Sequence, residues 1–232
     1  MRHPVCCAAA LLLASVLGGC AASSSAPTAT ASTAAASTAG TAGTTGSTVS
    51  ADASSSAAAP SMAVSAAPGA TVAPSDVTGS ADLAGLSIMV LAPTSTDPAT
   101  AAEIDTVVAV LRDAASAGGA ELTVATDDLA AATDGALASG ADVIVGVGPD
   151  TVSTLDLVAA ANLDRSFLVL GAQLAEPTEN VVAVVWPGAD ARVEYADEEP
   201  GFAGASTYAA EAVARGFAAL QADADGYVVS LG

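Results

Sequence analysis

Between residues 86 and 232 short runs rich in apolar residues alternate with longer stretches in which apolar residues have helical spacing. The runs are residues 86–91, 121–126, 142–148, 167–171, 181–186 and 227–231. Between the first two, Ile104, Val108, Leu111 and Ala115 recur every three or four positions. Strands without polar alternation, separated by amphipathic helices, are typical of a parallel sheet covered on both faces. The pattern predicts a three-layer α/β fold with a doubly wound, mainly parallel sheet.

Helix-starting residues follow three of these runs. An aspartate or threonine that accepts an amide hydrogen bond, or a proline in the first turn, favours a helix start, and glycine favours its end. The predicted starts are Asp97–Pro98, Asp127–Asp128 and Asp150–Thr151, with ends near Gly119 and Gly140 and a last helix over residues 202–221.

The carboxyl ends of the predicted strands are the expected ligand-binding edge. In doubly wound sheets a ligand lies outside these ends, where the strand order reverses. Asp97 and Asp150 also suit helix capping, so a binding role and a capping role both remain open for them. The candidate ligand-binding residues are Thr94, Ser95, Asp97, Gly148, Pro149, Asp150, Gly171 and Gln173.

The segment Gly146–Thr151 contains part of the dinucleotide-binding pattern G-x-G-x-x-G, after a predicted strand and before a predicted helix. It lacks the third glycine and follows the third strand rather than the first. A tight turn explains the two glycines equally well, and the strongly acidic chain favours the turn over phosphate binding.

The N-terminal apolar run, residues 5–17, has the length of a signal-peptide core but is too short to span a bilayer. It ends in Leu17-Gly-Gly-Cys20, which resembles the lipobox of bacterial lipoproteins. The resemblance implies that residues 1–19 are a signal peptide and that the Cys20 thiol is alkylated by a diacylglycerol, with palmitate as an acyl chain. An ordinary secretory signal is the alternative. We expect a protein anchored by lipid on the extracytoplasmic face of the cell membrane.

Residues 21–80 consist almost entirely of Ala, Ser, Thr, Gly and Pro, with Asp52 and Asp76 as their only charges. So little apolar surface cannot offset the entropy of ordering the backbone. The sequence therefore predicts a disordered tether over residues 20–80 and a folded domain over residues 81–232.

The residue types that the chain lacks exclude most catalytic sites. Its only histidine is His3, its cysteines are Cys6, Cys7 and Cys20, and it has no lysine. A mature chain beginning at Cys20 cannot build a Ser/His/Asp triad, a P-loop, a Schiff base or a His/Cys zinc site. We expect no enzyme activity, no cofactor and no metal.

Acidic residues outnumber basic ones 25 to 5, for a formal net charge of −20. Such a surface repels nucleic acid and anionic lipid headgroups, so we expect no nucleic-acid partner and membrane contact through the lipid anchor alone. Glu194, Asp197, Glu198 and Glu199 could gather a calcium ion, but they lack the spacing of an EF-hand loop and favour a solvated acidic loop.

Five segments in order resemble the first lobe of the basic membrane protein (BMP) family of extracytoplasmic solute-binding lipoproteins. They are residues 140–148, 166–170, 179–186, 200–205 and 226–232. The sequence departs from the family pattern in residues 92–98, at Pro149, where the family has an aromatic residue, and at Gly171, where it has an aspartate.

This resemblance implies one lobe of a type I periplasmic-binding-protein-like fold. It further implies a nucleoside-type solute as ligand and the permease of an ABC importer as partner. The alternative is a cell-envelope lipoprotein that uses a degenerate α/β lobe as a protein-interaction module and binds no small molecule. Trp186, Tyr195 and Tyr208 could stack on a solute or pack in the core.

Overall fold

The computed structural model describes residues 58–190, 192, 201–224 and 226–232. The predicted signal peptide, the predicted lipidation site Cys20 and most of the predicted tether lie outside these residues. The same holds for Tyr195 and for the acidic segment from Glu194 to Glu199.

A seven-stranded sheet forms the centre of the fold, and every neighbouring pair in it is parallel. Its order is β2-β9-β8-β7-β6-β4-β5. The predicted parallel sheet is thereby confirmed. The strands are β2 (Thr71–Val72), β4 (Ser87–Leu91), β5 (Glu121–Ala125), β6 (Val143–Val147), β7 (Ser166–Leu170), β8 (Val181–Val185) and β9 (Val228–Ser230). A separate antiparallel pair joins β1 (Ser61–Met62) to β3 (Val77–Thr78).

Helices cover both faces of the sheet, as the apolar pattern predicts. The helices are α1 (Pro98–Gly118), α2 (Leu129–Ser139), α3 (Val152–Ala161) and α4 (Ala205–Gln221). The buried faces of α1 and α4 share one hydrophobic cluster, and those of α2 and α3 share another. Successive strand residues alternate between the clusters: Val143 and Val145 belong to the first and Ile144 to the second. The fold is a three-layer α/β sandwich.

Helix α1 shows how local sequence fixes these boundaries. The Asp97 side chain accepts a hydrogen bond from the Thr100 amide at 2.9 Å, and Pro98 occupies the first helical position. At the other end Gly119 adopts a left-handed conformation, φ 74°, and its amide donates to the Ala115 carbonyl. The predicted start and end of this helix are confirmed.

The strand order reverses between β4 and β6. The chain passes from β4 outward to β5 at the sheet edge, then returns to form β6 on the other side of β4. The carboxyl ends of β4 and β6 therefore form the crevice where doubly wound sheets bind ligands.

The folded domain begins earlier in the chain than the sequence predicts, because residues 58–80, assigned to the tether, are ordered. Strand β2 pairs with β9 at the sheet edge, and Val72 and Val77 are buried. The Tyr227 hydroxyl donates to the Ala66 carbonyl at 2.9 Å and accepts from the Ala66 amide at 2.7 Å. Several of the contacts of this segment come from residues near the C-terminus, and the local composition of residues 20–80 does not reveal them.

Among the residues that the structure describes, no helix combines the length and the hydropathy that a membrane span requires.

Candidate functional site

A hollow of about 280 Å³ opens at the carboxyl ends of β4 and β6. The loop after β4, Pro93–Asp97, forms one side, and Gly148–Asp150 after β6 forms the other. Thr100 and Ile104 of α1 and Val147 of β6 complete the lining. The hollow therefore lies at the topological switch point of the sheet.

Six of the eight predicted site residues line this hollow: Thr94, Ser95, Asp97, Gly148, Pro149 and Asp150. The strand order brings them together, because the two loops are far apart in sequence but follow neighbouring parallel strands. That any of them binds a ligand remains a prediction.

Asp97 is held in place by the start of α1. Its Oδ2 accepts from the Thr100 amide at 2.9 Å and from the Thr100 hydroxyl at 2.8 Å, and its own amide donates to Ser95 Oγ at 3.2 Å. The pKa of the Asp97 carboxyl is lowered from its ordinary value, mainly by the hydrogen bond from the Thr100 amide. The hydrogen bond from the Thr100 hydroxyl lowers this pKa further. Asp97 is therefore both a helix cap and an ionised carboxylate on the wall of the hollow.

The opposite wall depends on the backbone of Gly148. This glycine has φ 79° and ψ 173°, a conformation that residues with a Cβ scarcely adopt. The buried Thr151 hydroxyl donates to the Gly148 carbonyl at 2.8 Å. Pro149 and Asp150 then follow in a short 3-10 turn that leads into α3.

The two glycines of the Gly146–Thr151 segment have separate structural reasons. A Cβ on Gly146 would lie 2.5 Å from Leu155 Cδ1 and 2.6 Å from Thr151 Oγ1, so Gly146 lets α3 pack closely on β6. Gly148 makes the turn. Close packing and turn geometry account for this motif without a nucleotide.

Gly171 and Gln173 do not line the hollow. Gly171 follows β7 with φ 77°, and a Cβ there would clash with the Phe202 ring and approach Trp186 Cη2 to 2.9 Å. Gln173 lies beside the next loop, where its Nε2 donates to the Asp190 carbonyl at 3.1 Å. These two predicted site residues belong to the packing of the β7–β8 end of the sheet.

The aromatic side chains of this region form one packed group. The Trp186 ring lies 5.9 Å from Phe202 and 6.5 Å from Tyr208 between centroids, and its Nε1 donates to the Ala203 carbonyl at 2.7 Å. Trp186 is buried. The indole is therefore part of the core rather than a surface for stacking a solute.

Thr96, Thr100, Ile104 and Val147 line the hollow without having been predicted to do so. Thr100 and Ile104 lie one and two turns into α1, so they reach the hollow because the helix begins at its rim. The helix period, counted from the Asp97 cap, is the signal that could have identified them.

The lining combines hydroxyl groups, two carboxylates and an apolar floor. Thr94, Ser95 and Thr100 offer hydroxyls, while Asp97 and Asp150 offer carboxylate oxygens. Such a lining suits a small polar solute and disfavours an anion. Within the described ranges, no three His, Cys, Asp or Glu side chains gather as a metal site would require.

No protein-family model matches the chain, and no curated protein matches it in sequence. The solved structures that are similar to part of it include the following two. One is a crystal structure of ABC transporter system solute-binding proteins from Aeropyrum pernix K1, with 22% identity, a TM-score of 0.39 and coverage of 44% of this chain. The present chain spans 29% of that protein's length.

The second is a crystal structure of a fragment, described as a lipoprotein, from Peptoclostridium difficile 630, with 14% identity and a TM-score of 0.39. The match covers 43% of this chain and 84% of the fragment. At these values neither similarity bears on the chemistry of the hollow.

Proposed function

We propose that the domain is a solute-binding lobe of a lipid-anchored, extracytoplasmic receptor of the kind that serves ABC importers. One observation carries this proposal. The hollow at the switch point between β4 and β6 is lined by Thr94, Ser95, Asp97 and Gly148–Asp150, residues predicted from the sequence alone to bind a ligand.

The hollow provides one wall of a binding site. It is open to solvent and only about 280 Å³ in volume, whereas binding sites generally bury most of the ligand surface. A second wall, from another lobe or another protein, would enclose a solute held first by the hydroxyls of Thr94 and Ser95. The nucleoside-type ligand suggested by the sequence resemblance belongs to this proposal.

Thermal unfolding in the presence of nucleosides and sugars tests the binding part. A solute that binds only the folded state at about 100 times its Kd stabilises it by about 2.7 kcal/mol, which for a domain of this size raises Tm by about 5 to 10 °C. We expect at least one solute in the panel to produce such a shift.

A matched pair of variants assigns the shift to the hollow. Thr94→Val removes a hydroxyl from the lining, and Thr71→Val removes an exposed hydroxyl from β2 at the opposite edge of the sheet. The shift should shrink in Thr94→Val and persist in Thr71→Val. If no solute shifts the wild-type Tm, the interaction-module alternative is favoured instead.

The anchor is tested separately. Growth with radioactive palmitate should label the wild-type chain and leave Cys20→Ser unlabelled, since the thiol is the proposed attachment point. An unlabelled wild-type chain would remove the lipid anchor from the proposal without affecting the solute-binding part.

A further inference from the structure

A second hollow, of about 240 Å³, lies on the other side of the Pro93–Ser95 loop, between α1 and the carboxyl end of β5. Ile104 and Val108 of α1 and Val124 of β5 provide its apolar wall. At about 30 Å³ for each water displaced, it has room for a solute the size of about eight water molecules.

Two opposite charges line this hollow from the same helix. Asp105 and Arg112 are seven residues apart on α1, which places them on the same face because seven residues complete nearly two turns. Both side chains are exposed. Their backbones are separated by about 10 Å along the helix axis.

Long side chains on a helix generally lean toward its N-terminus, and from position 112 that is the direction of Asp105. A small molecule that carries a positive and a negative group on one carbon offers a partner to each of these two side chains. No ion pair within 4.0 Å joins Asp105 to Arg112 in the described part of the chain.

Arg112 differs from the other arginines whose positions are described. Arg165 pairs with Asp164, Arg215 binds the Val77 carbonyl and approaches Glu211, and Arg192 donates to Gln173. For Arg112 the described residues provide no ion pair or side-chain hydrogen bond. A guanidinium with five N–H donors binds a ligand carboxylate through two parallel hydrogen bonds, and among the described residues nothing competes for those of Arg112.

We propose that this hollow is a binding site for a free α-amino acid, with the ligand carboxylate on Arg112, its ammonium on Asp105 and an apolar side chain against Val108 and Val124. A zwitterion has no net charge, so the acidic surface of the protein does not repel it as it would an anion. The hydroxyl of Thr126, on the same rim, donates to Asp127 Oδ2 at 3.3 Å and keeps its oxygen as an acceptor for the ligand ammonium.

Isothermal titration calorimetry of the full chain, with L-valine as probe, tests the site. Isobutylamine lacks only the carboxylate of L-valine, and isovalerate lacks only its ammonium group, so each keeps the branched side chain and one of the two charges. We expect L-valine to bind at least ten-fold more tightly than either. Equal binding of isobutylamine and L-valine would overturn the proposal, as would an absence of heat with L-valine.

Variants separate this site from the switch-point hollow. Arg112→Gln and Asp105→Asn should each weaken L-valine binding at least ten-fold, and Arg165→Gln and Asp150→Asn should leave it unchanged, with Tm confirming that all four fold. Unchanged L-valine binding in Arg112→Gln would contradict the assignment. If L-valine does not bind, the amino-acid site is refuted. The proposed function is still supported if the binding of another solute depends on Asp150 and not on Arg112.

Discussion

Two stretches along the carboxyl ends of the strands differ in whether side chains fill the space beside them. At the carboxyl ends of β4 and β6 the edge is an open hollow lined by hydroxyls and carboxylates. At the ends of β7 and β8, Phe202 and Trp186 fill the equivalent space and are both buried. Parallel topology alone thus creates a potential site along the whole edge, and packing decides which part stays open.

The glycines at the two strand ends show how that decision is made. Gly148 and Gly171 both have left-handed φ values, 79° and 77°. At Gly148 a Cβ would be in ordinary contact with Phe202 at 3.6 Å, whereas at Gly171 it would overlap the ring. The missing side chain at Gly171 is the space that Phe202 occupies, so the β7–β8 end is closed by a ring from the segment leading into α4.

Truncating that ring is the largest perturbation we predict. Phe202→Ala should lower the free energy of unfolding by about 3–5 kcal/mol, because the ring is buried against Trp186 and its removal leaves a cavity. Urea denaturation measures the change. Phe202→Leu, which keeps most of the volume, should cost clearly less. A loss below about 1 kcal/mol in Phe202→Ala would show that the ring does not close this end.

Gly171→Ala should destabilise the domain by about 2–4 kcal/mol, from the left-handed backbone and the overlap with Phe202 combined. The control is Gly140→Ala, since Gly140 has φ 77° but no atom within 4 Å of an added Cβ. Only the backbone cost, about 1–2 kcal/mol, should remain there. Equal losses in the two variants would mean that the ring moves aside freely.

A hydrogen bond joins α1, the helix that begins at the open hollow, to α4, the helix that follows Phe202. Glu103 of α1 accepts a hydrogen bond from the Ala205 amide at 2.6 Å, which caps α4 where Gly204 has no side chain to do so. Glu103→Ala should lower the unfolding free energy by about 1 kcal/mol and Glu103→Gln by less, since glutamine retains an acceptor oxygen but not the charge favoured at a helix N-terminus. Urea denaturation of both variants checks the order, and equal losses would contradict it.

The sequence predicts the fold well because each local signal agrees with the next. The apolar runs give β4 to β9 within about two residues, and the Asp97 cap and Gly119 bound α1 as expected. Strands β1 to β3 escape prediction because they are two residues long, too short for any periodicity. Strand β2 pairs with β9, more than 150 residues later in the chain, and β1 pairs with β3.

The site is predicted in part for a similar reason. Thr94 and Asp150 can be found from the sequence because a loop that follows a buried strand must lie at the carboxyl edge. The same rule also selects Gly171, which does not line the hollow, because sequence order does not reveal that Phe202, thirty-one residues later, occupies the space beside it. The charges on α1 escape the rule altogether, since Arg112 lies on a helix rather than in a strand-end loop.

The smallest effect that we predict concerns the open stretch and depends on pH. The folded-state pKa of Asp97 is lowered, chiefly by the Thr100 amide, so folding favours the ionised carboxylate. Its contribution to stability is therefore fully present above the ordinary pKa of the carboxyl and is lost as pH falls through the lowered value. Asp97→Asn keeps a capping oxygen but cannot titrate.

The difference in unfolding free energy between wild type and Asp97→Asn should accordingly shrink as pH falls from about 6 to about 2. Thr100→Val offers an internal check, since it removes the hydroxyl bond and leaves the amide bond in place. Its pH dependence should lie between those of wild type and Asp97→Asn. If the difference in unfolding free energy stays constant with pH, the Asp97 carboxylate does not cap α1 in solution. It would then be available to a ligand in the hollow without first breaking its hydrogen bonds to Thr100.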